Sequence, residues 1–345
     1  MARVVVTGAA SSIGRKVRAL LAARDDVSSV VGIDLLSVTG HEVESCRLDL
    51  VTADLTDAFE GADAVIHLAS AFGPRLTGPE IDDAVDVTMA RRVLDAADKA
   101  GLTTIVLRSS ATVYGPWPNN PVPLTEDAPL RPHPDLAFAV QMGEIERVAA
   151  DWAADHPGAT VARLRPATVV GGEGNWLAEA LDAVGNVPPG DDTPAQYLHE
   201  DDLASAIVVA WAARLDGPVN VAPTGWLTPT ERRALDPVPK LRLPEQAALK
   251  ASEWRYRLGL APTMPGVVAY ALHPWVVAND RLVAAGWREA NSNEEAYVAG
   301  HEASAIESIS PQRRQELALG VSAGVVAALA GGIVALVRRR RRRAA

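Results

Sequence analysis

The residues best suited to chemistry lie at the very front of the chain. Thr7-Gly8-Ala9-Ala10-Ser11-Ser12-Ile13-Gly14 joins a short apolar run, 4–7, to an amphipathic stretch, 13–23. A glycine turn between a strand and a helix lets backbone N–H groups and the helix dipole meet a pyrophosphate. Gly8 makes the turn and Gly14 lets the helix lie close on the sheet, with Ile13 between loop and helix. Ser11, or Ser12 in the alternative alignment, stands where a middle glycine is usual. Asp34 ends the second apolar run, 20 residues after Gly14, where a carboxylate can accept hydrogen bonds from ribose hydroxyls. Leu35 and Leu36 follow it, with no arginine to hold a 2′-phosphate. The expected cofactor is therefore NAD rather than NADP.

Positioning these groups requires a sheet. The runs 4–7, 30–33, 65–69 and 105–109 are short and rich in β-branched residues, as buried parallel strands are. Helical segments alternate with them. The stretch 13–23 places Val17, Leu20 and Leu21 on one face, and 86–99 does the same with Val87, Ala90, Val93, Leu94 and Ala97. Further strands are expected at 161–164 and 219–222. The alternation implies an α/β fold, a Rossmann-type doubly wound parallel sheet with right-handed crossovers. After residue 223 prolines and tryptophans (Trp226, Trp254, Trp275, Trp287) break the pattern, which suits a small C-terminal cap whose aromatics line a cleft. The expected organisation is one domain over 1–288, with the cofactor core mainly in 1–165 and 196–222 and the cap mainly in 166–195 and 223–288. Residues 289–316 are polar and acidic and read as a linker.

Further strings make the reading more specific. Besides TGAASSIGR these are Asp49-Leu50, GADAVIHLAS (61–70), SSATVYG (109–115), PLTEDAPLRP (123–132), RLRPATVVGG (163–172), QYLHEDDLA (196–204), VNVAP (219–223) and AAGWREANSNEEA (284–296). With them the chain resembles the NAD-dependent epimerase/dehydratase family, the extended short-chain dehydrogenases, over roughly residues 3–297. The resemblance implies that Asp49 and Leu50 lie at the adenine and Leu68 and Ala69 along the cofactor. It places Ser109 and Ser110 at the nicotinamide end, with Ser110 holding the substrate oxygen that is oxidised. It also implies a small-molecule substrate in the cap cleft, and a homodimer formed through helices around 86–99 and 137–151.

In that family a Tyr-x-x-x-Lys pair one helical turn apart does the chemistry. The tyrosinate takes a proton, while the lysine lowers the tyrosine pKa and holds the nicotinamide ribose. Counting from PLTEDAPLRP and from Glu146, which matches the family's glutamate four residues after the lysine, the pair falls on Phe138 and Met142. Neither can move a proton. The lysines are Lys16, Lys99, Lys240 and Lys250, so none lies between residues 100 and 239, where the only tyrosines are Tyr114 and Tyr197. Two expectations follow: an NAD-binding protein without the standard catalysis, acting as a cofactor-responsive or scaffolding partner, or an active NAD-dependent oxidoreductase or epimerase-like enzyme with an unusual acid–base route through Ser110.

The formal net charge is −10, and since six positive charges sit in the arginines at 338–343, the rest of the chain sums to −16. An acidic body argues against nucleic acid as a partner. The single cysteine, Cys46, cannot form an internal disulfide, and the first residues run straight into the first strand without a signal peptide, so the globular part is expected in the cytoplasm. Residues 317–337 form 21 uncharged residues flanked by Arg313-Arg314 and the arginine run. As a helix of about 31 Å they are long enough to cross a hydrocarbon core. Ten of them are Leu, Ile or Val, contributing about −3 to −6 kcal/mol to insertion. Gly320, Gly324, Ala328 and Gly332 recur every fourth residue, a face suited to close helix packing. Membrane lipids are thus expected partners of the tail. A spanning helix would carry six arginines to the far side, against the positive-inside tendency; an interfacial or re-entrant helix would keep them on anionic lipid.

Overall fold

Alternation along each strand builds two apolar layers on one sheet. The computed structural model describes residues 1–38, 43–72, 85–172, 176–184, 193–235, 250, 254 and 266–300. Its main sheet is wholly parallel and contains β1 (Ala2–Thr7), β2 (Val27–Asp34), β3 (Val43–Arg47), β4 (Ala64–His67), β5 (Thr104–Arg108), β6 (Thr160–Pro166) and β9 (Gly217–Val221). The spatial order is β3-β2-β1-β4-β5-β6-β9. β7 (Thr168–Val170) and β8 (Tyr197–His199) pair separately, also in parallel.

On one face Val4, Val6, Ile66, Val106, Leu164 and Val219 pack against α1 (Ser12–Ala22) and α6 (Glu200–Ala212) through Val17, Leu21, Leu203 and Ile207. On the other, Val5, Ile33, Val65, Ile105 and Val161 meet three helices. These are the short α2 (Thr56–Phe59) through Phe59, α3 (Val85–Lys99) through Val93 and Leu94, and α4 (Ala137–Asp155) through Ala149. Both faces are buried, which is why the strands read as continuous β-branched runs rather than alternating ones. The strand order reverses between β1 and β4. In an open parallel sheet a crevice forms there, beyond the carboxyl ends of the strands.

Two expectations from the sequence need correction. The linker does not begin at 289: Asn293–Gly300 is a helix, with Ala296 and Tyr297 buried among Val170, Tyr197 and Leu227. Asn293 accepts the Tyr197 N–H at 3.1 Å and donates to the Thr224 carbonyl at 3.2 Å. Two apolar side chains and one buried amide are enough to dock so short a helix, and an average over a polar stretch hides them. Two of the four cap tryptophans are packed in the core instead of lining a cleft. Trp275 and Trp287 are core residues, the latter donating to Ser205 Oγ at 2.9 Å, while Trp226 and Trp254 are exposed. Residues 301–345, which hold most of the expected linker, the 317–337 stretch and the arginine run, lie outside the described residues; among the described residues no helix is long and apolar enough to cross a membrane.

His67 ends β4 inside this core, 3% exposed, with Nδ1 2.7 Å from Thr7 Oγ1. Burial pulls its pKa down to about 4. The unfolded chain, with a pKa near 6.5, binds a proton on His67 before the folded chain does. The stabilisation from the neutral ring is therefore complete above pH 6.5 and is lost as pH falls toward 4. Urea unfolding of His67→Gln and of the parent at pH 7 and pH 4.5 should show about 2–3 kcal/mol less acid sensitivity in the variant; equal acid sensitivity would mean the ring is not buried neutral.

Candidate cofactor site

Gly8 leaves β1 with φ +69°, and a β-carbon there would lie 2.7 Å from the Ala69 nitrogen. Only glycine lets the first loop pass this close to the chain leaving β4. At Gly14 a β-carbon would overlap the Gly8 carbonyl oxygen and sit 2.9 Å from the Ala9 α-carbon. The first turn of α1 thus rests directly on the loop. Ser11 caps this helix. Its hydroxyl accepts the Gly14 N–H at 3.1 Å and donates to the Gly8 carbonyl at 2.6 Å, so a side chain takes over the shaping of the loop where a glycine is usual. The N–H groups of Ser12 and Ile13 have no acceptor among the described residues. They are the donors an anion at this helix start would use.

Asp34 accepts two backbone N–H groups, Ala10 at 3.0 Å and Leu36 at 3.0 Å, one on each oxygen. It ties the second strand to the glycine loop and keeps lone pairs for ribose hydroxyls. Asp49 is engaged by its own turn, through the Val51 N–H at 2.8 Å and the Thr52 hydroxyl at 3.0 Å. A cavity of about 410 Å³ joins these elements. Gly8, Ser11, Ser12, Ile13, Asp34, Asp49, Leu50, Leu68 and Ala69 all line it, as do Phe72, Arg108 and Glu200. Gly14 lies beneath it, fully occupied in packing.

The remaining expected residues lie elsewhere. Ser109 is buried, with its hydroxyl unpartnered among the described residues, and does not line the cavity. Ser110 is 5% exposed and caps the short 3₁₀ turn Ala111–Tyr114. Its oxygen accepts the Thr112 N–H at 3.2 Å and the Thr112 hydroxyl at 3.0 Å. Phe138 and Met142 are buried in an apolar cluster with Leu136, Ile145, Ala167 and Leu177. Phe138 meets Phe72 edge-on at 5.2 Å and Trp176, the first residue of α5 (Trp176–Ala183), at 4.9 Å. Met142 occupies a dry position that would strongly disfavour an ammonium.

Tyr114 is no replacement base. Its hydroxyl donates to Asn220 Oδ1 at 2.7 Å and accepts from Arg165 Nη1 at 2.7 Å, and burial pushes its pKa up to about 12. Arg165 is held in turn by Glu146 through two 2.7 Å bonds. This network pins α4 to β6. Glu200 was not singled out by sequence. It is 2% exposed in the first turn of α6, accepts the Ser12 hydroxyl at 2.5 Å, and lies 3.5 Å from Lys16 Nζ. Gly172 lies so close that a β-carbon there would overlap the Glu200 carboxylate. Ser12 and Glu200 are 188 residues apart, a pairing no local pattern announces.

A parallel sheet whose strand order reverses at a glycine loop, with a ribose-type carboxylate and free helix N–H groups around one cavity, defines a dinucleotide-binding α/β protein. The chain belongs to the NAD-dependent epimerase/dehydratase family, whose pattern it matches over residues 4–222. The site fits the NAD of that family's description: the loop N–H groups would face the pyrophosphate and Asp34 the adenosine ribose. NAD supplies hydride transfer where a protein couples it to a substrate.

Among curated proteins it is 29% identical over 236 residues to an uncharacterized protein of Mycobacterium tuberculosis, covering 65% of this chain and 63% of that protein. It is also 30% identical over 175 residues to the L-arabinose 1-dehydrogenase (NAD(P)(+)) of Haloferax volcanii, covering 48% of this chain and 66% of that protein. The chain thus spans less than two thirds of the length of the mycobacterial relative. Among solved structures, the UDP-glucose 4-epimerase of Thermus thermophilus in complex with NAD has the same fold: TM-score 0.63, 22% identity, 86% of this chain and 97% of that one.

Proposed function

We propose that this chain is a membrane-attached NAD-binding protein that does not run the family's usual acid–base reaction and instead responds to, or is organised by, its cofactor. The observation that supports this most is the buried, apolar pairing of Phe138 and Met142 against Phe72 and Trp176. An edge-packed aromatic wall offers no group to take an alcohol proton and no cation to hold a nicotinamide ribose. Losing a general base alone removes about 10²–10⁴-fold in rate. The alternative, an active oxidoreductase or epimerase-like enzyme working through Ser110, has less support because that hydroxyl is turned into its own 3₁₀ turn. The membrane part of the proposal rests on the uncharged stretch 317–337 and the arginines after it, with the acidic body on the cytoplasmic side. A small molecule in the cap cleft and a second copy of the chain are the further partners proposed.

The test is calorimetric titration of NAD⁺, NADH and NADP⁺ into the full chain recovered from the membrane fraction, followed by assay for NAD turnover. Micromolar binding of NAD⁺ and NADH, weaker binding of NADP⁺ and no turnover are expected. Steady NAD reduction absent from heat-killed controls would overturn the non-catalytic reading, and recovery of the chain only in the soluble fraction would overturn the membrane part.

A further inference from the structure

Arg108 is the last residue of β5, immediately before Ser109-Ser110. Its side chain falls on the same sheet face as Val106 and reaches the cofactor cavity beside Val169, Leu203 and Glu200. Among the described residues lining that cavity it is the one cation, against the carboxylates of Asp34, Asp49 and Glu200. The fields of two buried carboxylates, Glu200 and Asp86, act on it, while burial pulls its pKa below the usual arginine value.

Both carboxylates are committed to other donors. Asp86 accepts the Ser70 hydroxyl at 2.5 Å and the Ala71 N–H at 2.6 Å. Glu200 accepts the Ser12 hydroxyl and faces Lys16. Lys16 is itself bound to Asp201 and does not line the cavity. The Arg108 guanidinium makes no hydrogen bond or ion pair with any described residue. A fork of five donors held in a cleft with none of them engaged by a described residue is costly unless something else fills it.

We propose that Arg108 is a diphosphate-binding residue: its guanidinium grips the pyrophosphate of the bound dinucleotide together with the free N–H groups of Ser12 and Ile13. This rests on the NAD-binding reading and deepens it. A planar fork suits two phosphate oxygens at once. Arg108 thereby returns to the cleft a positive charge that Met142 does not supply, placed at the phosphates instead of at the nicotinamide ribose. Selection in this cleft then falls on the diphosphate and adenosine part of the ligand.

The test uses the full chain in detergent, titrated with NAD⁺, ADP and adenosine, for the parent, Arg108→Met and Arg108→Lys. Arg108→Met is expected to weaken NAD⁺ and ADP by the same factor, about 10–100-fold, and to leave adenosine unchanged. Arg108→Lys should recover part of the loss, and the salt dependence of ADP binding should become shallower in Arg108→Met. An equal loss for adenosine would show that Arg108 only shapes the pocket and would overturn the proposal, even if the variant is less stable. Unchanged NAD⁺ and ADP affinities in Arg108→Met, with the parent binding both, would overturn this inference alone. A parent that binds no nucleotide would overturn the NAD-binding reading and this inference with it.

Discussion

Replacing Glu146 by glutamine is expected to lower the unfolding free energy by about 3–5 kcal/mol, because it leaves a buried guanidinium without its counter-charge. Glu146 is 2% exposed and makes two 2.7 Å bonds to Arg165, whose third contact is the Tyr114 hydroxyl. Arg163 Nε lies 3.5 Å from the same carboxylate. One anion therefore serves two cations, Arg165 buried and Arg163 half-buried, and among the described residues neither has a second carboxylate in contact. Thermal melts should show a fall of about 10 °C in Tm for Glu146→Gln. Glu144→Gln, two residues earlier on the same helix but in an exposed pair with Arg91 and Arg147, should barely move the midpoint. Equal shifts for the two variants would mean that the Glu146 network does not hold α4.

Replacing Gly14 by alanine is expected to abolish measurable NAD binding, a loss of at least about 100-fold, or about 2.7 kcal/mol. The added carbon meets the Gly8 carbonyl and the Ala9 α-carbon, both backbone, so no side-chain rotation relieves it. Either α1 lifts off the loop or Gly8 moves into the space held by Ala69. Both routes displace the Ser12 and Ile13 N–H groups from the cavity. Overpacking of this kind also costs about 1–3 kcal/mol of stability. Gly143→Ala is the matched control: its β-carbon would meet only the Pro132 ring, at 3.3 Å, and lies in α4 outside the cavity. Titration of NAD⁺ into both variants decides the matter, and retained affinity in Gly14→Ala would remove the glycine loop from the binding site.

What the sequence made legible follows from where each signal resides. Six of the strands (β1, β2, β4, β5, β6 and β9) and the first helix were readable to within a few residues because their apolar residues are local; β3, β7 and β8 were not placed. The glycine turn and Asp34 were readable because a backbone conformation and a strand end demand particular residue types. Residues 293–300 were misread because Ala296 and Tyr297 make little impression within a polar stretch, although they bury fully once β8 lies beside them. Arg108 and Glu200 were missed for another reason. Their roles depend on a cavity assembled from β5, the start of α1 and the start of α6, and no residue type or spacing near either marks it. The same holds for Phe72, which reaches Phe138 and Trp176 only after three separate segments converge.

The double engagement of Asp34 sets a limit on redesign. In a Rossmann-type cleft the carboxylate at the end of the second strand is the natural place to switch preference from NAD to NADP, by exchanging it for a small or basic residue. Here the same carboxylate also fastens the Ala10 and Leu36 N–H groups. Removing the charge to admit a 2′-phosphate would at the same time untie the phosphate loop from β2. Cofactor preference and loop shape are carried by one side chain, so an engineer who wants to change the first must supply a new anchor for the second.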